Sequence, residues 1–174
     1  MCHPGALTHL SRRSGLRRRS PWPGTTFVIA ALVVAADQIS KTIAEDHVST
    51  FPHHVLGPLG LQLTYNTGAS FSLFRSATGP LILLDVALVV VLAVVGYQAT
   101  SRSIQVGIGL MLGGALGNLA DRVTRHHGGA VVDFVTLPHF ATFNLADASI
   151  TAGTAIVLIS VLANLIRSHY RSAS

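Results

Sequence analysis

Residues 80–97 read PLILLDVALVVVLAVVGY, a run in which Asp85 is the only charged side chain. About 20 mostly apolar residues carry a helix across a bilayer, and a run this uniform keeps no polar face for water. Working outward, three more runs approach the same length, at 26–44, 104–120 and 148–167. Inside hydrocarbon every backbone N–H and C=O must be bonded within its own segment, so all four are predicted to be membrane-spanning helices. The link from Tyr97 to Ile104 is short, which makes spans two and three an antiparallel hairpin. The other two connections, about 45–79 and 121–147, are longer and hold most of the unusual residues.

The composition agrees with this reading. Of the 174 residues 49% are hydrophobic and 11% charged, whereas soluble domains carry about 25% charged residues. The net charge of +5 comes largely from Arg12, Arg13, Arg17, Arg18 and Arg19, ahead of the first apolar run. A basic flank beside an apolar segment marks a cytoplasmic border. These arginines have no interleaved aromatic residues, so nucleic acid is not an expected partner. Arg102 in the short link and Arg167 and Arg171 at the end lie on the same side as the tail, because the number of spans is even. Both termini are therefore predicted to be cytoplasmic and the two long loops to face outward, with Arg75, Arg122 and Arg125 as a minor exception. Residues 1–24 are predicted to be a disordered basic tail, 25–167 one membrane domain, and 168–174 a cytoplasmic tail. A cleaved signal ending at VVAAD is a weaker alternative, since the apolar run continues through Ile39 and Ile43. The lone Cys2 excludes an internal disulfide and a cysteine-rich metal site.

Polar residues gather where the spans meet the outer side. Span one ends DQISK, in which Asp37 and Lys41 stand four apart and share a helix face, so they can pair. Ser40 and Lys41 do not make a nucleophilic dyad, because adjacent helical residues point about 100° apart. In the first loop Leu61, Leu63 and Tyr65 alternate as a strand does, and Asn66-Thr67-Gly68 reads as a turn. Span three ends GGALGNLADR. Gly113 and Gly117 are a G-x-x-x-G pair that admits a close neighbour; with Asp121 they line one edge, and Gly114, Asn118 and Arg122 line the next. Val131–Val135 reads as an extended segment. Asn144 and Asp147 stand just before the last span, where a helix N-terminus favours a negative charge.

Ionisable groups at membrane depth are costly and mark function. Two carboxylates brought within about 3 Å cannot both ionise, so one becomes a base for water and the other a proton donor. The helix N-terminus favours an ionised Asp147, which leaves Asp133 as the protonated partner.

In order along the chain, DQISK (37–41), NTGASF (66–71), GGALGNLADR (113–122), VVDF (131–134) and FNLAD (143–147) resemble the lipoprotein signal peptidases (signal peptidase II) of bacteria. The resemblance spans roughly residues 25–167. It implies an intramembrane aspartyl endopeptidase, with no cofactor and no metal, that removes the signal peptide ahead of a diacylglyceryl-modified cysteine in prolipoproteins. It implies Asp133 and Asp147 as the catalytic pair. Asp37, Lys41, Asn66, Gly68, Asn118, Arg122 and Asn144 match positions that shape the pocket and hold substrate, and Asp121 is expected to support the site through Arg122 or nearby backbone. The implied fold is an all-α four-helix membrane bundle with a small extracytoplasmic β-sheet and a periplasmic lid helix, in the bacterial inner membrane among its lipids. A monomer is expected, since the pattern shows no exposed interface. Residues 135–142 are shorter than the corresponding stretch of many members. Asp85 belongs to none of the matching stretches.

Three rival readings remain. The nine histidines raise a metalloprotease, but there is no H-E-x-x-H helix pair and adjacent histidines such as His53-His54 rarely chelate one ion alone. A proton-coupled transporter would use Asp37, Asp85 and Asp121 as a relay. A non-catalytic lipoprotein-binding scaffold would use the same pocket without needing Asp133.

Overall fold

The computed structural model describes residues 24–68 and 78–172. The basic tail with Cys2, residues 69–71 of NTGASF and Arg75 lie outside the described residues. The chain runs α1 (Gly24–His47), β1 (His53–Leu56), β2 (Leu59–Asn66), α2 (Thr78–Gln98), α3 (Arg102–Thr124), β3 (Val131–Thr136) and α4 (Leu145–Ser172). All four helices are long and apolar enough to cross a membrane. Each extends beyond its apolar run, because helical hydrogen bonding continues into polar residues at the span ends; α4 carries on through 168–172.

α3 is the central helix and packs on α1, α2 and α4. Its small residues explain the position. A Cβ on Gly114 would come within 2.5 Å of the Ala146 carbonyl oxygen of α4, and one on Gly117 within 2.5 Å of Asp37 Oδ2 on α1. Backbone approach this close is available only to glycine, and in lipid it supplies the packing that holds helices together. The apolar core between the helices is Ala30, Leu92, Ile108, Leu112 and Ala115. Large side chains such as Leu83, Leu84, Leu158 and Ile159 are exposed instead, as lipid-facing positions must be. At the end of the bundle away from the sheet Thr26 Oγ1 donates to the Gln105 carbonyl at 3.3 Å and Gln105 Nε2 to the Ala99 carbonyl at 2.9 Å, tying α1 to the α2–α3 link.

The loops supply a three-stranded antiparallel sheet in the order β1-β2-β3. Leu56 pairs with Leu59 across a two-residue turn in which Gly57 has a positive φ. Thr64 pairs with Asp133 and Asn66 with Val131. Ala44, Leu63 and Val132 form a small second core that seats the sheet on the C-terminal end of α1. After β3 the chain turns back, and Phe143 bridges to Val135 through two 2.9 Å backbone bonds. That return delivers residue 144 to the start of α4. Among the described residues the loops contain strands and turns and no helix; the implied lid helix is not among them, and residues 69–77 lie outside the description.

Candidate active site

Asn144 is the N-cap of α4, and its cap is reciprocal. Its Oδ1 accepts the Asp147 N–H at 2.9 Å, while Asp147 Oδ2 accepts the Asn144 N–H at 3.3 Å. This is the capping-box arrangement, here with Asn and Asp in place of the usual Ser/Thr and Glu/Gln. The cap fixes the amide's orientation and turns Nδ2 away from the helix, where it donates to Asp133 Oδ1 at 2.7 Å. One asparagine thus touches both loop-end aspartates. Asn66 Nδ2 donates to the other Asp133 oxygen at 3.1 Å. Asn66 is itself held by its turn, its Oδ1 accepting the N–H of Gly68, whose φ is +75°. Asn118 Nδ2 donates to Asp147 Oδ1 at 2.9 Å.

The two aspartates differ in setting. Asp133 is buried in β3, and Asp147 in the first turn of α4 is half-buried. Burial pushes the Asp133 carboxyl up to about 6 and the nearby Asp147 charge adds to the rise, whereas hydrogen bonds from Asn66 and Asn144 and the Lys41 charge oppose it.

Beneath this pair lies a buried ionic layer. Lys41 Nζ is fully enclosed and meets Asp37 Oδ2 at 2.8 Å, Asp121 Oδ2 at 2.8 Å and Asn118 Oδ1 at 3.0 Å. An ammonium has three donors, and here all three have acceptors. Each of these acids also binds one backbone amide. Asp37 Oδ1 accepts the Ala146 N–H at 2.9 Å, and Asp121 Oδ2 accepts the Val132 N–H at 3.0 Å. Ala146 precedes Asp147 and Val132 precedes Asp133. The lysine therefore ties together two carboxylates, each anchoring the residue before one of the upper aspartates. Asn118 joins the layers, since its oxygen faces Lys41 and its amide faces Asp147.

Of the two routes expected for Asp121, the structure shows the one through nearby backbone, the Val132 N–H, and not the one through Arg122. Asp121 Oδ1 accepts Gln38 Nε2 at 2.8 Å and Arg125 Nε at 3.2 Å. Arg122 turns to α2 and pairs with Asp85 at 2.8 Å. Neighbouring helical residues point about 100° apart, so Asp121 faces α1 while Arg122 faces α2. This also gives Asp85, which had no partner in the sequence reading, an ionic one. The three carboxylates of the relay reading are thus each engaged in an ion pair.

Gln38, Glu45 and Arg125 were not singled out from sequence. Arg125 pairs with Glu45, and His127 Nε2 lies 2.9 Å from the other Glu45 oxygen. Arg125 stands four residues after Asp121, a spacing that could have flagged it. Gln38 Nε2 also reaches the Gly117 carbonyl at 3.1 Å.

The comparisons with known proteins point one way. The family described as "Signal peptidase (SPase) II" matches residues 29–163. The lipoprotein signal peptidase of Rhodococcus jostii (strain RHA1) is 38% identical over 144 residues, covering 80% of this chain and 73% of the relative. That of Coxiella burnetii (strain RSA 331 / Henzerling II) is 34% identical over 154 residues, covering 84% and 93%. A bacterial membrane enzyme solved by the in meso method at 1.9 Å superposes with a TM-score of 0.74 at 28% identity, covering 83% of this chain and 96% of the solved one.

Proposed function

The chain belongs to the signal peptidase II family, an aspartic peptidase family of multi-pass membrane proteins, and from that premise we propose that it cuts diacylglyceryl-modified prolipoproteins immediately before the lipidated cysteine, with Asp133 and Asp147 as the catalytic pair. The observation that carries this reading is the Asn144 bridge, which holds two acids from separate elements at one site.

In the proposed reaction Asp147 is ionised and Asp133 protonated. The raised pKa of buried Asp133 supports that division, as does the seat of Asp147 at a helix N-terminus. Asp147 takes a proton from water while the water oxygen attacks the scissile carbonyl carbon. Asp133 gives its proton to the carbonyl oxygen. In the collapse of the resulting diol the C–N bond breaks, Asp147 protonates the departing cysteine nitrogen, and a diol hydroxyl returns a proton to Asp133. Asn66, Asn118 and Asn144 hold the two acids in place; Asp37, Lys41 and Asp121 support that shell from below, and Arg122 contacts substrate. Both termini are cytoplasmic and the site lies near the outer face, a topology that the arginines of the tail, the short link and the C-terminal end support.

The test is cleavage of a diacylglyceryl-modified lipobox peptide by detergent-purified protein, read by mass. Wild type should cut before the lipidated cysteine, and Asp133→Asn and Asp147→Asn should be folded and inactive. Near-normal turnover by either variant would sink the assignment.

A further inference from the structure

Asp85 stands apart from the network around the two upper aspartates, yet it lies beside it. Leu81 and Asp85 are one turn apart on α2. A Cβ added to Gly68 would come within 2.8 Å of Leu81 Cδ1, and Gly68 follows by two residues the Asn66 that binds Asp133. Asp85 Oδ2 accepts one bond from Arg122 Nη1 at 2.8 Å, with 22% and 13% of the two side chains exposed. Arg122 Nε is buried and has no hydrogen-bond partner among the described residues. A guanidinium carries five N–H donors in one plane. Holding it by one nitrogen restrains the group and leaves donors for an acceptor that another molecule brings. A buried donor left unmet is unfavourable, so such an acceptor is drawn to it.

The register along α3 says which acceptor. Arg122 follows Asn118 by four residues, so it shares that face about 6 Å further outward. Asn118 binds Asp147. A substrate chain passing outward in extended form advances about 3.3 Å per residue. It reaches the level of Arg122 about two residues beyond the cut bond.

We propose that Asp85 is a positioning residue that holds the Arg122 guanidinium to bind a backbone carbonyl on the mature side of the cleavage site. The proposal rests on the peptidase reading above. It makes Arg122 a contact to the peptide, and Asp85 the group that keeps it in place.

The experiment uses the full chain in detergent with two diacylglyceryl-modified peptides, one running several residues past the lipidated cysteine and one ending there as its amide. Asp85→Asn should raise KM for the long peptide roughly tenfold, as loss of one hydrogen bond to a charged group does, with kcat within about twofold. The short peptide lacks the outward carbonyl, so its KM should be the same for wild type and Asp85→Asn. Asp85→Glu keeps the charge and should restore KM for the long peptide. The exchange of Asp85→Arg with Arg122→Asp rebuilds the ion pair but moves the guanidinium to α2. It should recover the melting temperature and not the KM.

If the exchange also restores KM, or Asp85→Asn lowers kcat alone, or both peptides respond equally to it, the pair is only a brace between helices and the proposal is overturned. Should Asp85→Asn fail to fold, the contrast between Asp85→Glu and the exchange decides. A wild type that cuts neither peptide sinks the peptidase reading instead, which keeps the two failures apart.

Discussion

Asn144 donates its side-chain amide to Asp133 at 2.7 Å while its side-chain oxygen caps α4. The two duties can be separated by substitution. Asn144→Ser keeps a good N-cap but cannot reach Asp133, so it should cost about 1–3 kcal/mol for the buried acceptors it leaves unmet. Asn144→Ala loses the cap as well and should cost about 1 kcal/mol more. Peptide cleavage should fall at least roughly tenfold in both. Thermal unfolding beside turnover checks this, and full activity in the Ser variant would break the link.

The Asp133 carboxyl, raised from 3.8 to about 6, makes stability depend on pH. Between those values the folded protein holds a proton that the unfolded chain has released, so stability falls as pH rises through that window, by about 3 kcal/mol in all. Catalysis needs one proton on the pair, so kcat/KM should decline on the basic side with an apparent pKa near 6, a property of the coupled pair. Asn66→Ala removes a donor that favours ionised Asp133 and should move that limb upward. A limb that stays still or moves down would contradict this.

Lys41 neutralises two fully buried acids. Lys41→Met leaves Asp37 without its cation and Asp121 with Arg125 alone, and should destabilise the protein by about 3–5 kcal/mol. The same change should loosen the anchors on Ala146 and Val132, so cleavage should vanish even in the folded fraction at low temperature. Unfolding in detergent, followed alongside single-turnover cleavage, measures both.

Gly114 meets the backbone of Ala146, one residue before Asp147. Gly114→Ala must push the start of α4 outward, at about 1–3 kcal/mol, with a clear loss of turnover. Gly128 has open space around it but a φ of +65°. Gly128→Ala should therefore cost about 1 kcal/mol in stability and leave cleavage per folded molecule unchanged. Equal turnover in the two variants would argue against the role given to close packing of α3 and α4.

Much of the architecture is legible in the apolar runs, because a segment in lipid has few alternatives to a helix. The pairing of Asp37 with Lys41 follows from their spacing on one helix, and the turn at Asn66–Gly68 from its residues. β1 is less legible, since His53–Leu56 is a short strand with little alternation. The reciprocal cap of Asn144 and Asp147 lies in FNLAD, but in the sequence Asp147 reads only as a charge near a helix start. The reach of Asn144 to Asp133 depends on the return through Phe143, which no local pattern announces.

By itself the sequence determined four helices and the collection of acids and amides at one end, for these follow from hydrophobicity and helical period. Tertiary structure decided who meets whom. Asp121 and Arg122 are neighbours in the chain, yet one faces Lys41 on α1 and the other Asp85 on α2. Hydrogen bonds and ion pairs act over about 3 Å, so partners depend on where the glycines of α3 let each helix come to rest, and that placement is a property of the packed bundle.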